Sequence, residues 1–281
     1  MWSIFLSKFR TRFAPSPTGL LHLGHAASAR AVWDGAVRAG GEVLLRIEDI
    51  DTTRCRPDYT DAIYEDLRWL GFEWPEPVRV QSEHFSDYAK VVEALDARGL
   101  AYRCFRTRAE IAAATPEGQM FVSAPLPPVE EQRRLEVGEA FAWRLSLAAC
   151  EAALGGTYHD LSFQLETKTG LETRRADPGL HGDIVIARKD SLSAYHIAAT
   201  HDDALQGMTH IIRGDDLAYA PHIQTLLQVL MDWPQPIYHH HALMMGPDGK
   251  RLSKSHGSIS LAGLRRSGKT PDDIWDMIGH L

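Results

Sequence analysis

Cysteine is scarce in this chain: Cys55, Cys104 and Cys150 are the three thiols in 281 residues. So few and so widely spaced, they exclude a disulfide framework and fit a reducing compartment. Long apolar runs are also missing. Nothing approaches the roughly 18 consecutive apolar residues of a membrane-spanning helix. The short apolar start at residues 4–6 is broken by Ser7 and Lys8, which leaves no secretory h-region. A soluble cytoplasmic protein with no membrane partner is expected. Excess positive charge is the third absence. The formal net charge is −7, which argues against a generic nucleic-acid coat protein whose affinity comes mainly from neutralised phosphates. The distribution is uneven: residues 42–96 carry fourteen acids against six bases, while residues 1–41 carry five bases against Asp34 alone. Local basic surface therefore survives inside an acidic total.

What is present is an ordinary globular composition, 44% hydrophobic and 24% charged, in a chain long enough to bury a substantial core. A strand end at 11–14, an alanine-rich helix over 24–39, a buried strand EVLLRI at 42–47 and helices over 57–70 and 86–98 alternate as in a βα sheet with right-handed crossovers. Residues 102–182 break that rhythm with Pro116, Pro125, Pro127, Pro128 and a charged stretch at 130–136, and read as an inserted subdomain. The alternation returns with DIVIA at 183–187, THIIR at 209–213 and a helix over 221–230. After Ser255 the chain is short and helical in character. In such sheets the ligand crevice lies at the carboxyl ends of the strands, where the RFAPSP loop and the acidic residues Glu48, Asp49 and Asp51 fall.

Two segments far apart carry the chemistry: RFAPSPTGLLHLGH at 12–25 and GPDGKRLSKS at 246–255. In the first, His22 and His25 flank Leu23 and Gly24 at a loop-to-helix junction, where glycine lets the backbone approach a phosphate. In the second, a Gly/Pro/Asp turn precedes Lys250, Arg251 and Lys254. Imidazole donors on one side and ammonium groups on the other suit charge developing on a triphosphate. The triplet His239, His240 and His241 reads as a strand leading into the second segment, and no metal site is expected there.

The two segments, in this order, resemble the HIGH and KMSKS signatures of class I aminoacyl-tRNA synthetases, and RFAPSPTG, RIED, SAYHIA and HIIRGDDL resemble the glutamyl branch. The resemblance covers nearly the whole chain. It implies an α/β fold: a Rossmann-type parallel sheet split into 1–101 and 183–245, an inserted α+β subdomain at 102–182, and at 246–281 the KRLSKS loop with a short helical region. It implies ATP with Mg²⁺, and His22, His25 and Lys254 as the catalytic set, with Gly24 and His240 beside the nucleotide. L-glutamate would be held by Arg12, Phe13, Ala14, Pro15, Ser16, Glu48, Tyr195 and Arg213. Short members of this branch bind zinc in the insertion through a CxC followed by a tyrosine and another cysteine. Here YRCFRTR offers Cys104 but has Arg106 at the second position, so no zinc is expected, with packing or salt bridges through Arg103, Arg106 and Arg108 in its place.

Residues 258–281 are too few for the helical anticodon-binding domain of a full glutamyl-tRNA synthetase. The resemblance therefore points to the short members, which activate glutamate without tRNA and pass it to the queuosine base in the anticodon stem-loop of tRNA(Asp). A monomer is expected, with an RNA surface combining the basic N-terminal region and the arginines of 98–108. The alternatives are a glutamyl-tRNA synthetase completed by a separate anticodon-binding protein and a non-catalytic RNA-binding paralogue.

Overall fold

The computed structural model describes residues 8–188, 193–244 and 259–279. Lys254, with the whole 246–255 motif, lies outside the described residues.

The chain opens with β1 (Arg10–Phe13), crosses by α1 (Leu23–Arg38) to β2 (Glu42–Ile47) and by α2 (Pro57–Trp69) to β3 (Arg79–Val80). The three strands are parallel, Arg12 level with Leu44 and Arg46 level with Arg79. A 3-10 turn leads into α3 (Phe85–Ala97). Small side chains let α1 press onto the sheet: Ala26, Ala27, Ala29 and Ala36 are buried. A Cβ on Gly35 would stand 2.4 Å from Cδ1 of Ile212, so a larger residue where the helix crosses a later strand would make that side chain shift.

The middle of the chain contributes β4 (Ala101–Cys104), α4 (Arg108–Ala114), α5 (Pro128–Glu136), β5 (Ala142–Leu145), α6 (Leu147–Leu154), α7 (Gly156–His159), the hairpin β6 (Ser162–Thr167) and β7 (Gly170–Arg175), and β8 (Val185–Ala187). Then follow α8 (Tyr195–Leu205), β9 (His210–Gly214), α9 (Ala220–Leu230), β10 (Ile237–His241), α10 (Leu261–Arg266) and α11 (Pro271–Ile278). β10 pairs in parallel with both β9 and β6, and β7 closes that sheet antiparallel to β6. Next to it β1 abuts β9, with the Thr209 N–H donating to the Arg10 carbonyl at 3.0 Å. The strands thus run β3-β2-β1, then β9-β10-β6-β7, and the chain order reverses between β1 and β9. That reversal opens a crevice at the strands' carboxyl ends.

Strand pairing crosses the sequence positions 102 and 182. β6, from within 102–182, joins the parallel sheet beside β10, while β8, the DIVIA strand, pairs antiparallel with β5, itself antiparallel to β4. Residue pattern marks a half-buried strand but carries no label for the sheet it joins. Two apolar cores result, one beneath α1, α2, α10 and α11, the other among α3, α8, α9 and the β4-β5-β8 sheet. No helix of the described residues is long and apolar enough to cross a membrane.

Candidate active site

The crevice between β1 and β9 is a cavity of about 590 Å³. β1 and the turn after it bring Arg12, Phe13, Ala14, Pro15 and Ser16; the end of β2 brings Glu48; the start of α1 brings His22, Gly24 and His25; α8 brings Tyr195 and β9 brings Arg213. Residues 241–244 complete the wall, and on the far side of the 245–258 segment Ser260 bridges to His22 while the Leu261 N–H donates to the Leu21 carbonyl at 2.8 Å.

His22 is the N-cap of α1. Its Nδ1 accepts from the Gly24 N–H at 3.1 Å, and Nδ1 of His25 accepts from the His22 N–H at 3.2 Å. A neutral imidazole whose Nδ1 accepts must carry its proton on Nε2. The reciprocal cap thus makes both rings Nε2–H donors, at a helix terminus whose dipole already favours an anion. The ring centroids are 3.9 Å apart, so the two rings sit side by side at the cavity wall.

The Arg12 side of the cavity is built on buried charge. Arg12 Nε donates to Oδ1 of Asp203 at 2.8 Å; Arg46 donates to the same oxygen at 2.8 Å through Nη1 and to Glu48 Oε1 at 2.8 Å through Nη2. Burial alone would raise the Asp203 pKa, but Arg12 and Arg46 outweigh it and hold the carboxyl below the ordinary range. Burial raises the Tyr195 hydroxyl, and Arg213 opposes the shift. The neighbouring Asp202 takes Arg79 Nε at 2.8 Å, Gln81 at 3.0 Å and the Tyr88 hydroxyl at 2.8 Å, which anchors α8 to β3 and α3. Asp203 was not singled out from sequence, although HDD at 201–203 follows the small and apolar IAA of 197–199 in one helix, and both acids are buried.

His240 does not line this cavity. It is behind Arg213, whose Nε donates to its Nε2 at 3.3 Å, and it lines two smaller hollows flanking β10 rather than the 590 Å³ cavity. Burial, then Arg213, push its pKa down to about 3, so the ring is neutral. Strand alternation sets His240 apart from its two neighbours: His239 faces Glu166 at 3.4 Å and His241 meets Ser28 at 2.9 Å.

In the insertion, Cys104 and Cys150 are buried, and burial lifts the Cys150 thiol to about 12. Arginine–aromatic stacking organises the region. Arg103 pairs with Glu131 and lies 4.2 Å from the Trp143 ring centre, Arg106 lies 6.0 Å from that of Phe121, and Arg144 lies 4.6 Å from that of Phe121. Asp183 joins the parts, accepting from the Tyr102 hydroxyl, the Ser123 N–H and the Leu147 N–H, each at 2.9 Å. Arg103, placed by sequence on an RNA-facing surface, is committed to this stack. No group of three metal-ligating side chains occurs among the described residues. Elemental analysis of the purified protein is expected to find no stoichiometric zinc; one tightly held zinc per chain would refute this.

The family model of class I tRNA synthetases (E and Q), catalytic domain, matches residues 8–141 and 168–280. The glutamyl-Q tRNA(Asp) synthetase of Rhodobacter capsulatus is 40% identical over 96% of this chain and 99% of its own length. That of Symbiobacterium thermophilum is 38% identical over 96% of this chain and 84% of its own. Among solved structures, a glutamate tRNA ligase from Elizabethkingia meningosepticum in complex with its amino acid superposes with a TM-score of 0.75 at 28% identity. It is covered over 97% of this chain, which spans 60% of that ligase.

Proposed function

This chain belongs to the class I tRNA synthetases of the E and Q type, catalytic domain, and we propose that it activates L-glutamate with ATP and transfers it to the queuosine base in the anticodon of tRNA(Asp). It is a ligase of the aminoacyl-tRNA synthetase class. The observation that carries the reading is the single cavity in which paired imidazole donors meet two guanidinium groups, Glu48 and Tyr195. The relatives named glutamyl-Q tRNA(Asp) synthetase, similar over most of their length, support the acceptor.

In the first step an α-carboxylate oxygen of glutamate attacks the α-phosphorus of ATP, and the bond to the pyrophosphate oxygen breaks with its electron pair. Nothing covalent is asked of the protein; positioning and electrostatic stabilisation suffice. His22 and His25 would donate to phosphate oxygens through Nε2, with Lys254 assigned to the leaving pyrophosphate from sequence. Arg12 and Arg213 would take the substrate's carboxylates and Glu48 its ammonium group. The donors at the phosphate end are N–H groups rather than carboxylates, so Mg²⁺ would be held largely by phosphate oxygens and water, where it would neutralise charge. In the second step a hydroxyl of the queuosine cyclopentene ring attacks the activated carbonyl and AMP leaves. The adenylate phosphate is the available base for the hydroxyl proton.

The test has two arms. Glutamate-dependent exchange of pyrophosphate into ATP is expected without any tRNA, and exchange that requires tRNA would count against the reading. Glutamate transfer is expected to queuosine-containing tRNA(Asp) and not to the same tRNA with guanosine at that position. Equal transfer to both, or transfer to tRNA(Glu), would favour a glutamyl-tRNA synthetase.

A further inference from the structure

Arg213 and Arg12 are supported in opposite ways. Around Arg12 the buried charges balance: Arg12 and Arg46 face Asp203 and Glu48, and the four side chains are 6%, 0%, 3% and 13% exposed. Among the described residues, the groups that hold Arg213 are neutral. Its Nη1 donates to the amide oxygen of Gln224 at 3.1 Å, its Nε donates to the imidazole of His240 at 3.3 Å, and its guanidinium carbon lies 5.2 Å from the Tyr238 ring centre. The Tyr238 hydroxyl in turn accepts from Gln228 at 3.1 Å. Gln224 is 1% exposed and Arg213 5%, so solvent screens this cation little. Its Nη2 is buried with no hydrogen-bond partner among the described residues. Asp216, the remaining acid of the cavity wall, is exposed to solvent at the rim.

We infer that Gln224 and His240 are positioning residues that fix Arg213 without cancelling its charge, so the amino-acid pocket keeps one uncompensated positive charge and prefers a substrate of net charge −1, an α-amino acid with a side-chain carboxylate, over its neutral amide. The inference rests on the proposed glutamate activation at this site. A buried cation with neutral partners gains most from an incoming anion, because each charge relieves the other's desolvation. An acid built into the cradle would satisfy Arg213 internally, and the incoming carboxylate would then have to displace it. Selectivity between two substrates is a difference of affinities, and this device acts on the charged one alone. The neutrality of His240, held by burial and by Arg213 itself, keeps β10 from supplying or opposing charge.

The experiment is pyrophosphate exchange with glutamate and with glutamine as alternative substrates, on the full chain, for wild type, Gln224→Glu and His240→Gln. Gln224→Glu is nearly isosteric and adds the counter-charge. It is expected to raise KM for glutamate about tenfold to a hundredfold with a much smaller change in kcat, and to narrow the glutamate-over-glutamine ratio by a similar factor. His240→Gln keeps a neutral acceptor and is expected to preserve that ratio even where KM rises. If Gln224→Glu does not unfold cooperatively, His240→Glu introduces the same charge from β10 and decides the matter. A wild-type ratio in the charge-adding variant, or an equal loss of ratio in His240→Gln, overturns the inference while leaving glutamate activation intact. Absence of glutamate-dependent exchange in the wild type overturns the functional reading and the inference with it.

Discussion

Asp203→Ala is expected to lower folding stability by about 3–5 kcal/mol, the cost of leaving buried cations without their counter-charge. Asp203 Oδ1 takes both Arg12 and Arg46 at 2.8 Å, and Arg46 is fully buried. Arg46 retains Glu48 and Gln206, so the larger strain falls on Arg12, whose one ion pair among the described residues is to Asp203. The loss should appear as a shifted urea midpoint with little change in slope. Its pH dependence has a definite sign. Arg12 and Arg46 depress the folded-state pKa of Asp203 below its unfolded value. The wild-type advantage is therefore present above the unfolded-state pKa, about 3.9, and disappears as pH falls through the lower folded value. Wild type and variant should converge in strongly acidic solution. A variant as stable as wild type at neutral pH would show that Asp203 does not carry these two arginines.

The second large effect is kinetic. Removing the Nε2–H donor at position 22 is expected to slow adenylate formation by about a hundredfold to a thousandfold, since one preorganised donor at a developing charge supplies roughly 2.7–4 kcal/mol. His22 also caps α1 through Nδ1, so two substitutions separate the roles. His22→Asn keeps a good N-cap acceptor and should lose rate with little loss of stability. His22→Ala should lose the same rate and about 1 kcal/mol of stability besides. Single-turnover adenylate formation and chemical denaturation read the two quantities independently. Wild-type rate in His22→Asn would remove this imidazole from the chemistry.

The sequence by itself determined the strand and helix rhythm of residues 10–97, the family, and the segment from Arg12 to His25 whose two ends line the crevice. Those features are local. A capping histidine pair, a small-residue helix face and an apolar strand are each written in a few consecutive residues, because their physics spans one turn or one strand. Tertiary structure alone decided the supports. Asp203 reaches Arg12 across 191 positions and Arg46 across 157, and His240 reaches Arg213 across 27. It also sent β6 into the parallel sheet and β8 into the antiparallel one. Periodicity reports which face of an element is buried. It does not report what lies opposite, and a buried charge is defined by its partner.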